Sequence, residues 1–61
     1  MLVQVTTPHY CAGFVVEGGV VVRSAPILAW TRGKSLRQVL FVLRKRGAHM
    51  LEVSDRAPRE L

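Results

Sequence analysis

The sequence has one cysteine, few acidic residues and no long apolar run, and these shortages exclude several classes of protein. Because Cys11 is alone, no internal disulfide can form, and a lone thiol is more typical of a reducing cytoplasm than of a secreted protein. The apolar runs are a few residues long, far short of the ~20 residues that cross a bilayer. The first ten residues have no basic cluster and no long apolar stretch, so we expect no signal peptide. The sequence therefore predicts a cytoplasmic protein without a membrane span.

The scarcity of acidic residues leaves a strongly basic chain. The net charge is +5 at pH 7, and no acidic residue lies between Glu17 and Glu52. That interval holds seven cations: Arg23, Arg32, Lys34, Arg37, Arg44, Lys45 and Arg46. Such one-sided charge favours an anionic partner, namely nucleic acid, an acidic protein patch or a membrane surface. The alternative is a solvated face that only keeps a small apolar protein in solution.

The chain is short and rich in apolar residues. Its 61 residues make a single domain, and a domain of this size is marginally stable alone. Small domains gain stability from disulfides, metals or oligomerisation. Since apolar residues make up 49% of the sequence and no internal disulfide exists, we expect a homo-oligomer.

The segment from Ser35 to Gly47 predicts the one long helix. Ser35 suits the N-cap, and Gln38 three residues later completes a capping box. Gly47 suits the left-handed position after the last turn, and the three cations before it suit the carbonyl end of the helix dipole. At ~100° per residue, an apolar stripe collects on one side and requires cover: Leu36, Val39, Val42 and Leu43, with Leu40 beside them.

Phe41 points away from this stripe, and its expected neighbours on the helix surface are Arg37, Arg44 and Lys45. One exposed apolar residue is common and needs no explanation. The alternative is an aromatic anchor inside a basic contact surface. On that hypothesis we predict a partner-binding surface that consists of Phe41, Arg37, Arg44, Lys45 and Arg46.

The first 24 residues predict three strands. Residues 2–6 alternate between apolar and polar side chains, which is typical of a strand. Thr7, Pro8 and His9 interrupt it, since proline cannot donate to a ladder. Residues 10–17 and 20–24 flank Gly18 and Gly19, a pair that favours a type I′ hairpin turn.

The hairpin has valines on both faces. Its two-residue loop fixes the expected pairs: Glu17 with Val20, Val16 with Val21, and Phe14 with Arg23. One face then holds Phe14, Val16 and Val21, and the other holds Val15, Val20 and Val22. Because one helix covers only one face, we predict that Val15, Val20 and Val22 form a self-association surface.

The remaining segments complete a small α+β domain. Pro26 favours a short helical turn, in which we expect Ile27, Leu28 and Trp30 to close one end of the core. Residues 48–54 alternate again and predict a last strand, whereas residues 55–61 are expected to fray. The predicted fold is a two-layer domain, residues 1–61, with an antiparallel-rich β-β-β-α-β sheet and one helix on one face.

No motif predicts catalysis or a cofactor. Gly33, Lys34 and Ser35 lack the first glycine of a P-loop. Arg32, Lys34 and Ser35 form only a weak candidate for anion binding at the helix N-terminus, where a simple capped helix is favoured. The soft metal ligands are His9, Cys11 and His49, and their spacing matches no known metal-site motif. We therefore expect no metal, no cofactor and no enzymatic activity.

Three short motifs carry a resemblance. They are T-T-P-H at residues 6–9, A-P-I-L-x-W at residues 25–30 and G-K at residues 33–34. With these motifs the chain resembles small accessory proteins that are encoded by phages and prophages of actinobacteria. The resemblance extends over nearly the whole chain and implies an intracellular protein that binds a component of the host cell. It assigns no activity and no site residue.

The charge and the apolar pattern of the sequence favour two functions. The first is a protein-binding module that contacts a host protein through the basic helix face or the hairpin. The second is a nucleic-acid-binding protein that uses the cations around Phe41. The chain has no helix-turn-helix, RNA-recognition or zinc-finger motif, and valine-rich strands lack the polar side chains that contact base edges. Protein binding is therefore the favoured hypothesis.

Overall fold

In the described part of the chain, five antiparallel strands form a single sheet, and one α-helix follows the third strand in the sequence. The structure is a computed structural model and describes residues 1–54 and 58–61. The strands are β1 (Leu2–Thr6), β2 (Cys11–Glu17), β3 (Val20–Ser24), β4 (His49–Val53) and β5 (Arg59–Glu60). A 3-10 helix (Pro26–Thr31) and helix α1 (Leu36–Lys45) follow β3. The order across the sheet is β3-β2-β1-β4-β5, which confirms the predicted small α+β domain.

Two turns define the first half of the sheet. In the first, the Thr7 hydroxyl accepts hydrogen bonds from the N–H groups of His9 and Tyr10, at 3.1 and 3.0 Å. Such side-chain acceptance stabilises a turn where proline prevents a strand. In the second, Gly18 and Gly19 have φ values of 59° and 79°, which is the backbone that a type I′ hairpin requires. Both predicted interruptions are therefore present.

The hairpin register departs from prediction at one point. Glu17 pairs with Val20 and Val16 with Val21, as expected. The ladder then shifts, so that Phe14 lies opposite Ser24 and not opposite Arg23. The predicted Phe14–Arg23 pair is therefore wrong, because a β-bulge adds one residue to β3 and a loop length fixes register only until such an insertion.

The core lies between one face of the sheet and the two helices. Alternation along the strands turns one set of side chains inward, and α1 contributes its apolar stripe. The buried apolar residues are Val3, Val5, Phe14, Val16, Val21, Leu28, Val39, Leu43, Ala48 and Met50. Leu36 and Leu40 pack at its margin. Val39 and Leu43 confirm the predicted helix phase, whereas Val42, also predicted for the stripe, is only half-buried.

Local hydrogen bonds define both ends of α1. The Ser35 hydroxyl accepts from the Gln38 N–H at 3.3 Å, which caps the first turn. At the other end Gly47 has φ 78°. Its N–H donates to the Arg44 carbonyl, and the Ala48 N–H donates to the Leu43 carbonyl, both at 3.0 Å. This pair of bonds is a Schellman motif, and both Leu43 and Ala48 are buried in the core.

The 3-10 helix closes the core less completely than predicted. Leu28 is fully buried and Trp30 partly buried, as expected, but Ile27 is 55% exposed. The placement of Ile27 in the core was therefore wrong, since a 3-10 helix turns 120° per residue and directs adjacent side chains apart. Thr31 is buried instead, and its hydroxyl donates to the Leu28 carbonyl at 2.6 Å.

The segment that leads into α1 covers the outer edge of β3. The Val21 N–H donates to the Lys34 carbonyl at 2.9 Å, and the Gly33 N–H donates to the Val21 carbonyl at 2.8 Å. Ser35 forms an isolated bridge with Val20. An exposed strand edge is a template for pairing with other chains. This edge is therefore already occupied at the start of β3, over Val20 and Val21.

The chain also contains a strand that sequence periodicity did not reveal. Residues 58–61 were expected to belong to a frayed tail, but Arg59–Glu60 pairs with β4 as β5. The Leu61 N–H donates to the Met50 carbonyl at 3.0 Å, and the Leu61 side chain packs against the core. A two-residue strand is too short to show alternation. The expected fraying of residues 55–57 lies outside the described residues.

Candidate functional site

The outward face of α1 carries the predicted aromatic and basic residues. Phe41 is 60% exposed, because the apolar stripe that turns Val39 and Leu43 inward leaves Phe41 on the far side of the helix. The Lys45 ammonium lies 4.6 Å from the centroid of the Phe41 ring. Residues four apart on a helix are neighbours, and a cation at this distance is attracted by the face of the ring.

Three arginines extend this surface. Arg37 and Arg44 lie one turn before and one turn after Phe41, and both are exposed. Neither forms an ion pair with another described residue. Arg46 is the C-cap residue of α1 and is also exposed. We call the exposed residues Arg37, Phe41, Arg44, Lys45 and Arg46 the basic helix face.

Arg46 lies against a second aromatic ring, which was not among the residues predicted for this surface. Its guanidinium lies 5.1 Å from the centroid of the Trp30 ring, in the 3-10 helix. Trp30 is partly buried, so the ring supports Arg46 from the protein side. Residues 30 and 46 are too far apart for a spacing rule to predict their contact. Two cations of the basic helix face therefore contact aromatic rings: Lys45 contacts Phe41, and Arg46 contacts Trp30.

The residues of the weak anion-site hypothesis are largely engaged within the protein. The Arg32 side-chain Nε donates to the Ser24 hydroxyl at 3.0 Å. The Ser35 hydroxyl accepts from Gln38, and the Leu36 N–H donates to the Gly19 carbonyl at 2.8 Å. The Lys34 side chain is exposed. Two first-turn N–H groups are thus satisfied internally, which favours a capped helix over an anion site.

The sheet face opposite α1 carries the predicted self-association residues. Val20 and Val22 are 39% and 44% exposed, and Val15 is half-buried. The strand order places Leu2 between Val15 of β2 and Val53 of β4. Leu2 and Val53 belong to this surface and were missed, because the sequence did not reveal that β1 lies between β2 and β4. We call the sheet surface opposite α1 the open face.

The polar end of the open face holds the cysteine. Cys11 and His49 both pair with Thr6, which therefore lies between them. The Gln4 side-chain amide donates to the Cys11 sulfur at 3.0 Å. Within residues 1–54 and 58–61, no group of three or more His, Cys, Asp or Glu side chains is placed to hold a metal ion.

Comparisons with family models, curated proteins and solved structures gave no match for this chain. Among the helices described, none has the length and apolar character to cross a membrane. No pocket is present in the described part of the chain. The candidate functional surfaces of the described residues are the basic helix face and the open face.

Proposed function

We propose that this chain is a non-enzymatic binding protein whose basic helix face holds an acidic surface of another protein. The resemblance to accessory proteins of actinobacterial phages and prophages suggests a host protein in the cytoplasm as the partner. The exposure of Phe41 beside Lys45 is the observation that carries the proposal. The core does not use this ring, because Phe41 is 60% exposed.

The chemistry of the basic helix face suits a protein interface. Aromatic residues and arginine are enriched where proteins meet, and a few central side chains supply most of the binding energy. Covering an exposed phenylalanine releases about 1.5–3 kcal/mol. Arg37 and Arg44 have no ion pair with a described residue, so a carboxylate of the partner need not compete with a carboxylate of those residues. Phe41 thus supplies affinity, and the cations supply orientation and on-rate.

Nucleic acid is the second candidate, and one observation favours it. The pairs Phe41–Lys45 and Trp30–Arg46 each join a ring to a cation. Single-stranded nucleic acids bind such surfaces by stacking and phosphate contacts. Trp30 is partly buried and its ring already contacts Arg46, so one of the two rings is poorly available for a base. Protein binding remains the favoured function.

We also propose that the protein self-associates through the open face. Val15, Val20 and Val22 lie there, away from α1. The two surfaces belong to opposite sides of the sheet, since the core lies between the sheet and α1. Self-association and partner binding are therefore independent of one another in this proposal.

The test begins with partners captured from an actinobacterial lysate, with and without nuclease. Affinity for each candidate is then measured by titration calorimetry. Phe41→Ala should weaken binding by about 1–3 kcal/mol and leave the melting temperature unchanged. Ile27→Ala is the matched control, because Ile27 is similarly exposed, at 55% against 60% for Phe41, but lies outside the basic helix face. It should change neither quantity.

Charge reversal separates the two candidate functions. Arg44→Glu and Lys45→Glu should each weaken protein binding less than Phe41→Ala, with a shallow salt dependence. Lys34→Glu makes the same charge change at the other end of α1 and is the control. If nucleic acid is the partner, the logarithm of affinity falls steeply with the logarithm of salt, and each lost phosphate contact lowers the slope by about one. Unfolding by Phe41→Ala, or unchanged binding in all three variants, would refute the proposal.

A further inference from the structure

The open face is arranged in rows that run across the strands. Residues that pair directly on neighbouring strands point to the same side of a sheet. The first row is Arg23, Val15, Leu2 and Val53, from β3 to β4. The second row is Gly13, Gln4, Leu51 and Glu60, from β2 to β5. The third row is Cys11, Thr6 and His49.

The rows differ sharply in polarity. Leu2 and Val53 in the first row are 44% and 36% exposed, and they continue the exposed apolar surface of Val20 and Val22. Thr6 and His49 in the third row are exposed and polar. The apolar character of the open face is therefore concentrated at one end of the strands.

This difference in polarity between the two ends of the strands favours one orientation of a second copy on the open face. A two-fold axis parallel to the strands places the first row of one copy on the first row of the other. A two-fold axis across the strands would place the apolar row on the row of Thr6 and His49. Burial of apolar surface on apolar surface is the favourable arrangement. An axis parallel to the strands also keeps the two sheets roughly aligned, which is a common packing of sheets.

The same axis brings opposite charges together. It exchanges the two sides of the sheet, so that β3 of one copy lies over β5 of the other. Arg23 is on the open side of β3, and Glu60 pairs with Leu51 on the open side of β5. Their rows are adjacent, which is a separation of roughly 7 Å along the strand and within the reach of an arginine side chain. The open face is thus complementary to itself in charge as well as in polarity.

The area of the open face is sufficient for a dimer. The molecule measures 27 × 24 × 19 Å and has 4281 Å² of accessible surface. One side of such a body carries about a seventh to a fifth of that surface, or roughly 600–850 Å², against ~800 Å² per partner in a standard interface.

We propose that a second copy of this chain covers the open face, with the two-fold axis parallel to the strands and Arg23 of each copy facing Glu60 of the other. This inference rests on the proposed self-association and specifies its geometry. It is independent of the basic helix face, which lies on the opposite side of the molecule.

Charge exchange tests the predicted pairing. In sedimentation equilibrium of the full chain, Arg23→Glu and Glu60→Arg should each raise the dimer dissociation constant about 10-fold, because each creates two like-charge contacts per dimer. The double variant should return it to within about 2-fold of the parent. Circular dichroism melts should show all three variants folded. Additive weakening in the double variant would overturn the orientation, and a monomer at millimolar concentration would overturn the dimer.

Cross-linking tests the position of the axis. In a Cys11→Ser background, Leu2→Cys places a thiol on the central strand in the row where the two copies meet. It should form an intermolecular disulfide under mild oxidation. His49→Cys lies on β4 at the polar end, away from the axis along β1. Its two thiols in a dimer therefore lie far apart and should stay reduced. Efficient cross-linking at residue 49 but not at residue 2 would contradict the geometry. Phe41→Ala should leave the dimer intact. Failure of the proposed dimer is therefore distinguishable from failure of the proposed partner binding through the basic helix face.

Discussion

At the scale of single residues, Gly47 is required for its backbone conformation and not by contact with neighbouring atoms. Its φ is 78°, and a Cβ added there would meet nothing within 4 Å. The requirement for glycine is therefore conformational, since the Schellman motif needs a left-handed residue after the C-cap. Ser35 and Gly47 could both be assigned from sequence, because caps depend on a few adjacent residues.

Gly47→Ala should lower the free energy of unfolding by about 1 kcal/mol, the cost of a Cβ in the left-handed region. Gly47→Asn should cost less, because asparagine visits this region more readily. Urea denaturation at fixed protein concentration measures both changes. Equal losses in the two variants would mean that contacts, and not backbone conformation, decide this position.

At the scale of elements, periodicity could predict the helices and strands that are long enough for their apolar pattern to repeat. Helix α1 and strands β1 to β4 were assigned correctly, and the exposure of Phe41 followed from the helix phase. Two features at the margin of the core were not predicted. Ile27 is exposed, and Leu61 packs against the core. Both depend on tertiary contacts of segments too short to carry a period. The contact of Arg46 with Trp30 was missed for the same reason.

The packing of β5 predicts unequal costs for two aliphatic truncations. Leu61→Ala removes a side chain that packs against the core, and we expect a loss of about 1–2 kcal/mol in the free energy of unfolding. Ile27→Ala truncates a side chain that is 55% exposed and should cost less than about 0.5 kcal/mol. Hydrogen exchange of the Leu61 N–H, which donates to Met50, gives a second readout. Equal costs for the two variants, or an unprotected Leu61 N–H, would show that β5 does not dock.

At the scale of the whole molecule, charge and apolar surface are placed on opposite sides of one sheet. The basic helix face follows from the sequence of α1 alone, whereas the open face required the strand order, which no local pattern contains. The bulge in β3 also altered the open face, because it places Arg23 beside Val15. Separation of the two surfaces allows a dimer to present two basic helix faces outward. Such a dimer would bind a divalent acidic partner with an avidity that one copy lacks.

The excess of positive charge predicts that salt stabilises the fold. The chain carries +5, and Arg37 and Arg44 form no ion pair with a described residue, so repulsion opposes the compact state. Raising sodium chloride from about 0.02 to 0.5 M shortens the screening length from about 20 to 4 Å. The Arg23→Glu variant, kept dilute so that it stays monomeric, still carries +3, since the substitution lowers the +5 of the parent by two. Its melting temperature should rise by about 3–6 °C. Adding Arg44→Gln and Lys45→Gln should roughly halve this rise, since both cations lie in the crowded last turn of α1. A melting temperature that falls with salt would mean that attractive ion pairs outweigh the repulsion.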